Sequence, residues 1–318
     1  MSKRPRRAAA SLPALGLILV ATVLASALAV AFPSCVRKAG SGKRTIVVTY
    51  SVLGSVVKEL VGDSFEVKVS IPNGLDPHDW EPSAKDIEAI NRADLVVENG
   101  LGLEEGMTKA LDAARKAGVR VFTASDHVAV RTVGAGEGVP SGDPDQSVGA
   151  EDPHLWTDPV TMRAVADALA EEIKADFALD LAKRQADLDA RYDELDAEVA
   201  ASVGKLPAER RKLVTGHESM GYFAQRYGFK LVGALVPSLS SQAESTAAGL
   251  VALKKLVAAE GVKVVFTETS ENPKVALALA AEAGATSVSL VTHALPEGGD
   301  YAAFVRGLAS TVVGALAR

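Results

Sequence analysis

The stretch TIVVTYSVLGSVVKELVGDSFEVKVSI, residues 45–71, decides how the chain folds. Thr45–Val52 is rich in β-branched residues and reads as a strand, Ser55–Val61 carries helical apolar spacing, and Phe65–Ile71 returns to strand composition. Short buried strands alternating with helices make α/β units around largely parallel sheets. Downstream the alternation continues, with strands at Asp94–Glu98 and Val119–Thr123 and helices at Ser83–Arg92 and Glu104–Ala117. Ser83, three residues before Asp86, is placed to cap its helix. The Gly-, Pro- and Asp-rich stretch between Arg131 and Asp152 reads as a mobile surface loop whose acidic residues, Asp143, Asp145, Glu151 and Asp152, are solvated.

Helical sequence then dominates from Pro159 to about Gly204, where Leu181, Leu188, Tyr192, Leu195 and Val199 recur at helical spacing, and one long amphipathic helix is expected. After Pro207 the alternation resumes. Strands fall at Lys212–Thr215, Lys230–Val236, Lys263–Thr267 and Thr286–Val291, with helices at Met220–Tyr227, Glu244–Ala259, Lys274–Ala283 and Tyr301–Ala317. The expected fold is α/β, two similar lobes with mostly parallel sheets joined by a helical connector. The expected division is an export and tether segment at 1–44, lobes at 45–159 and 207–318, and the connector at 160–206.

Charge separates the export segment from the rest. The first 44 residues hold eight Lys or Arg and no Asp or Glu, so removing them from the net charge of −6 leaves a body of −14. Such a body repels phosphate backbones and attracts cations, which argues against a nucleic-acid partner. Lys3–Arg7 precede an uncharged run from Ala8 to Val36 with the pattern of a secretory signal. Cys35, the chain's single cysteine, lies at the end of that run, after its apolar centre, and excludes an intramolecular disulfide or a thiolate cluster. Its setting resembles the acylation site of a bacterial lipoprotein; a cleaved signal and an uncleaved anchor are the alternatives. All three place the body outside the cytoplasm, at the membrane or in the periplasm.

With one cysteine, the chemistry falls to His, Asp and Glu. Of five histidines, His78 and His154 lie in the first half and His217 and His293 in the second, each downstream of a strand's carboxyl end. That is the edge at which open α/β sheets bind ligands. Four imidazoles converging there suit Zn2+, which takes N, O or S donors tetrahedrally. His127 has no counterpart and reads as a surface residue. Neither a phosphate loop, an HExxH helix nor a Ser or Cys nucleophile motif is present.

The segments DPHDWEPS, DPHLWTDP and HESMGYFAQRYG resemble those of the zinc- or manganese-binding solute receptors of bacterial ABC importers, the TroA-like and ZnuA-like family, and the resemblance extends over Thr45–Arg318. It implies lobes joined by a long rigid helix, one metal in the cleft between them and no catalysis. It also implies His78, His154 and His217 as ligands. His at the third position, where manganese receptors usually carry Glu, points to zinc. At the fourth, usually Asp, this chain has His293, so the fourth ligand is open between His293, a carboxylate such as Asp300 or Glu268, and water. Carboxylates hydrogen-bonded to the far side of the ligand rings are expected to orient them, Glu268 foremost.

The expectation is therefore an exported, lipid-anchored, monomeric zinc receptor that delivers its ion to an ABC permease. The alternatives are a manganese or iron receptor of the same class and, in a different class, an extracellular zinc-dependent hydrolase.

Overall fold

The computed structural model describes residues 43–138, 144–268 and 273–318. The export segment, the candidate acylation residue Cys35 and Asp143 lie outside the described residues. Among those described, no helix is long and apolar enough to cross a membrane.

The opening stretch folds as β1 (Thr45–Tyr50), α1 (Ser51–Val61) and β2 (Glu66–Ile71). The first strand ends two residues earlier than its composition suggests, because the backbone turns into the helix at Ser51. Next come α2 (Ala84–Arg92), β3 (Leu95–Glu98), α3 (Thr108–Lys116) and β4 (Val121–Thr123). Ser83 does cap α2, its hydroxyl accepting from Asp86 N–H while the Asp86 carboxylate accepts from Ser83 N–H. All four strands are parallel, in the order β2-β1-β3-β4.

The helical stretch is two helices rather than the one expected, α4 (Pro159–Phe177) and α5 (Ala182–Val203). They run antiparallel: Arg163 pairs with Asp193 near one end, and Gln185 donates to Asp167 at 2.7 Å further along. The break lies at Ala178, whose left-handed backbone (φ 53°) closes α4, and at Asp180, whose carboxylate accepts from Ala182 N–H at 2.9 Å to start α5. No Gly or Pro marks that position, which is why the period alone reads through it. The long helix α5 buries Leu188, Tyr192, Leu195 and Val199 against α1 and against the C-terminal α9 (Tyr301–Leu316). Each such side chain contributes about 1.5–3 kcal/mol.

The second lobe comprises β5 (Lys212–Thr215), α6 (Gly221–Tyr227), β6 (Lys230–Ala234), α7 (Ala247–Ala259), β7 (Val264–Glu268), α8 (Pro273–Ala283), β8 (Thr286–Leu290) and α9. β5 pairs with β6 and β7 with β8, both parallel, and β5 runs alongside β7. These are two two-stranded sheets, and the spatial order β6-β5-β7-β8 resembles β2-β1-β3-β4 with β5 packed beside β7 rather than paired to it. The two lobes are similar α/β units, as the alternation implies. Arg44, assigned above to the tether, belongs to the packed body: its guanidinium lies 5.0 Å over the Phe177 ring and donates to the Phe177 carbonyl.

A non-glycine residue in the left-handed region costs roughly 1–2 kcal/mol, more than the entropy a glycine forfeits. Ala178→Gly is expected to raise the urea midpoint, with a gain of about 0.5–1 kcal/mol; a lowered midpoint would place the cause of the break elsewhere.

Candidate metal centre

Parallel strands bring their carboxyl ends to one edge, and the loops leaving that edge carry the histidines. His78 sits between β2 and α2, His154 just before α4, His217 immediately after β5 and His293 after β8. All four are buried, at 5%, 1%, 3% and 4% exposure.

His78, His154 and His217 come together, each with a nitrogen within 4.8 Å of the other two. His154 Nε2 lies 3.5 Å from His78 Nε2 and 3.1 Å from His217 Nε2. Tetrahedral nitrogen donors about 2.0–2.1 Å from a zinc ion are spaced roughly 3.3–3.4 Å apart, so these separations match a common ion.

The other ring nitrogen of each histidine faces a carboxylate. Nδ1 of His154 is 2.8 Å from Asp152 Oδ1, that of His217 is 2.9 Å from Glu268 Oε1, and that of His78 is 3.2 Å from Glu105 Oε1. A carboxylate on Nδ1 holds the proton there, and the lone pair is left on Nε2, where the three rings converge. Three negative charges behind three neutral rings also offset the +2 of an ion in front of them.

His293 stands beside this set but outside the group whose nitrogens lie within 4.8 Å. The Thr292 hydroxyl has one proton and donates it to Glu268 Oε2, so it accepts from His293 Nδ1, 3.2 Å away. His293 Nε2 is then a buried acceptor with no hydrogen-bond partner among the described residues. An orphaned buried nitrogen of this kind costs about 1–3 kcal/mol unless something binds it.

Glu268 lies at the end of β7, where it orients His217 and also accepts from Ser219 Oγ at 2.8 Å. Burial alone would raise its pKa, but the His217 ring and the Thr292 and Ser219 hydroxyls hold it well below the usual carboxylate range. Asp300 is not brought to the cluster: it is exposed, and its carboxylate caps α9 by accepting from Ala303 N–H at 2.8 Å. His127 is exposed, stacked on Phe122 with ring centroids 4.4 Å apart.

Two of the orienting carboxylates escape the sequence reading. Asp152, taken above as part of a solvated loop, is fully buried, with its second oxygen 3.0 Å from Arg131 Nη1. An antiparallel bridge between Thr132 and Glu151 closes the loop, and the Arg131 N–H donates to Tyr222 Oη. Gly221 permits this packing, since a Cβ there would fall 2.1 Å from Asp152 Oδ2. The available signal was the repeated Asp-Pro-His. In both copies Asp Oδ1 accepts from the N–H of the histidine two residues on, at 3.0 Å for Asp76–His78 and for Asp152–His154. Glu105 is the second carboxylate, and nothing in its spacing, 27 residues from His78, points to the pairing.

The sequence model of the ZnuA family, zinc-uptake complex component A periplasmic, matches residues 46–315. The zinc-binding lipoprotein AdcA of Streptococcus pneumoniae is 29% identical over 271 residues, 83% of this chain and 53% of AdcA. The chain thus spans about half the length of that relative. ZnuA of Bacillus subtilis, a high-affinity zinc uptake system protein, is 31% identical over 79% of this chain and 78% of its own. The manganese ABC transporter substrate-binding lipoprotein PsaA of S. pneumoniae is 30% identical over 73% and 74%. Among solved structures, the periplasmic zinc-binding protein TroA of Treponema pallidum superposes with a TM-score of 0.72 at 28% identity, covering 87% of this chain and all of TroA.

Two expectations follow from this geometry. Replacing an orienting carboxylate while keeping its shape, as in Glu268→Gln, should weaken metal binding by about 10–100-fold in an equilibrium titration, with the fold retained by circular dichroism. The second concerns pH. Burial pushes the His154 pKa down to about 4, despite the opposing Asp152 carboxylate. Between the ordinary histidine value of about 6.5 and 4, the unfolded chain takes up a proton that the folded chain refuses, so stability falls as pH drops through that window. For the metal-free protein, urea midpoints should decline from pH 7 to pH 5; flat midpoints across that range would contradict a neutral, buried His154.

Proposed function

The chain belongs to the zinc-uptake complex component A family, and from that premise we propose that it is the extracytoplasmic metal receptor of an ABC importer, with Zn2+ as its cargo. One observation carries the reading. Three buried imidazoles turn their Nε2 lone pairs toward one point while carboxylates occupy the nitrogens behind them. His293, whose Nε2 has no other partner among the described residues, is the proposed fourth ligand, and Glu268 orients His217 rather than taking that place.

The choice of zinc follows from the donor set. Relatives named for zinc and relatives named for manganese are similarly distant from this chain, so ligand chemistry separates the two. Imidazole suits zinc, whereas manganese is better served by carboxylate and carbonyl oxygens. A site whose available inward donors are nitrogens therefore favours zinc over manganese. The orphaned His293 nitrogen and the shielding of the three rings from solvent both lose their cost when an ion is bound.

The proposed receptor is held at the outer face of the membrane through a lipid on Cys35, by likeness to relatives named as lipoproteins, and hands its ion to a permease. The body works as a monomer. Residues 45–159 and 207–318 are the proposed lobes, with 160–206 as the connector.

Elemental analysis of purified protein after a competition series tests the reading. One zinc per chain, retained against a large excess of manganese, is expected. Replacement of bound zinc by manganese, or unchanged zinc affinity in a His78→Ala, His154→Ala double variant, would overturn it.

A further inference from the structure

The loop after β6, Pro237–Gln242 (PSLSSQ), is part of the second lobe, yet its serines reach carboxylates contributed by the first. Ser238 Oγ donates to Asp145 Oδ2 at 2.7 Å, and the Ser240 N–H donates to the same oxygen at 3.2 Å. Ser240 Oγ donates to Glu105 Oε1 at 2.6 Å, and Ser241 lies near the Asp76 carboxylate. In its own lobe the loop is tied beside His217, the Ser238 carbonyl accepting from Glu218 N–H at 3.0 Å.

Two of these carboxylates hold His78. Glu105 Oε1 is the atom that faces His78 Nδ1, and Asp76 Oδ1 accepts from the His78 N–H. The three orienting carboxylates are also unequal. The side chains of Asp152 and Glu268 are 0% and 1% exposed, walled in by protein, whereas that of Glu105 is 43% exposed. A carboxylate that open to water is less confined by packing, and the Ser240 hydroxyl is the second group bonded to the oxygen that faces His78.

We propose that Ser240 is a positioning residue for the metal centre and that the serine loop is a latch. Closed, it fixes Glu105 on His78 and thereby sets the third imidazole against the other two; lifted, it frees Glu105 to turn into solvent and leaves His78 as the loosest ligand. Ion release then begins at His78, and whatever lifts the loop controls it. The proposal rests on the reading of the three-histidine cluster as a metal site.

Zinc release into excess chelator, followed by stopped flow, tests it on the full chain, with the thermal midpoint of the metal-free protein measured alongside. Ser240→Ala is expected to speed release about tenfold, the low end of what loss of a ligand's outer partner costs, with an unchanged midpoint. Ser240→Thr, which keeps the hydroxyl, should restore the wild-type rate. Because Ser240 acts through Glu105, the double variant Ser240→Ala, Glu105→Ala should release zinc no faster than Glu105→Ala alone. Wild-type release from Ser240→Ala, or effects that multiply in the double variant, would overturn the latch and leave the metal-site reading standing. Failure of that reading has its own signature, wild-type zinc affinity in His78→Ala.

Discussion

Each ring of the three-histidine cluster is held from behind. An imidazole has two nitrogens and, when neutral, one proton, so a carboxylate on Nδ1 decides where the other lone pair points. Asp152, Glu268 and Glu105 make that decision for His154, His217 and His78, and the arrangement works only if all three agree. Burying carboxylates and imidazoles together is expensive in solvation, and isolated ions would neutralise instead. Here the desolvated carboxylates are hydrogen-bonded on their remaining oxygens, Asp152 by Arg131 and Glu268 by Thr292, while Ser219 adds a second donor to the Glu268 oxygen that faces His217.

The fold supplies this agreement through one edge. Glu268 ends β7, His217 follows β5, and Thr292 and His293 follow β8, so three adjacent strands of the second lobe deliver a ring, its orienting carboxylate and the hydroxyl that links that carboxylate to a fourth ring. The first lobe lacks so direct an arrangement. Its two histidines sit in loops, each braced by the aspartate of an Asp-Pro-His turn, and one of them needs Glu105 from another loop. The second lobe therefore supplies His217 and His293 from strand ends, whereas His78 and His154 come from loops of the first.

Much of this was legible in the residues. The strand and helix alternation places the elements to within a few residues, and His78, His154, His217 and His293 stand out because histidine is scarce and each follows a strand end. Glu268 was legible for the same reason. The connector was misread because the break at Ala178 depends on one left-handed backbone angle at a residue with no propensity for it. Asp152 was misread because its neighbours have loop composition, whereas its burial comes from Arg131, twenty-one residues away, and from α6 packing against it across Gly221. Asp300 was a candidate by proximity in sequence alone, and helix capping claims it. Long-range pairings of this sort leave no periodic trace.

Trp156 joins the two lobes at the rear of the cluster. Its indole N–H donates to the Thr292 carbonyl at 2.6 Å, its carbonyl accepts from Tyr301 Oη at 3.0 Å, and its ring centroid lies 5.3 Å from that of His154. The chain has one other tryptophan, the half-buried Trp80. Indole emission is sensitive to the dipole it bonds and to an imidazole nearby, so Trp156 is an optical gauge already built into the joint between the lobes. The protein carries its own fluorophore at the place where a spectroscopist would otherwise attach a dye.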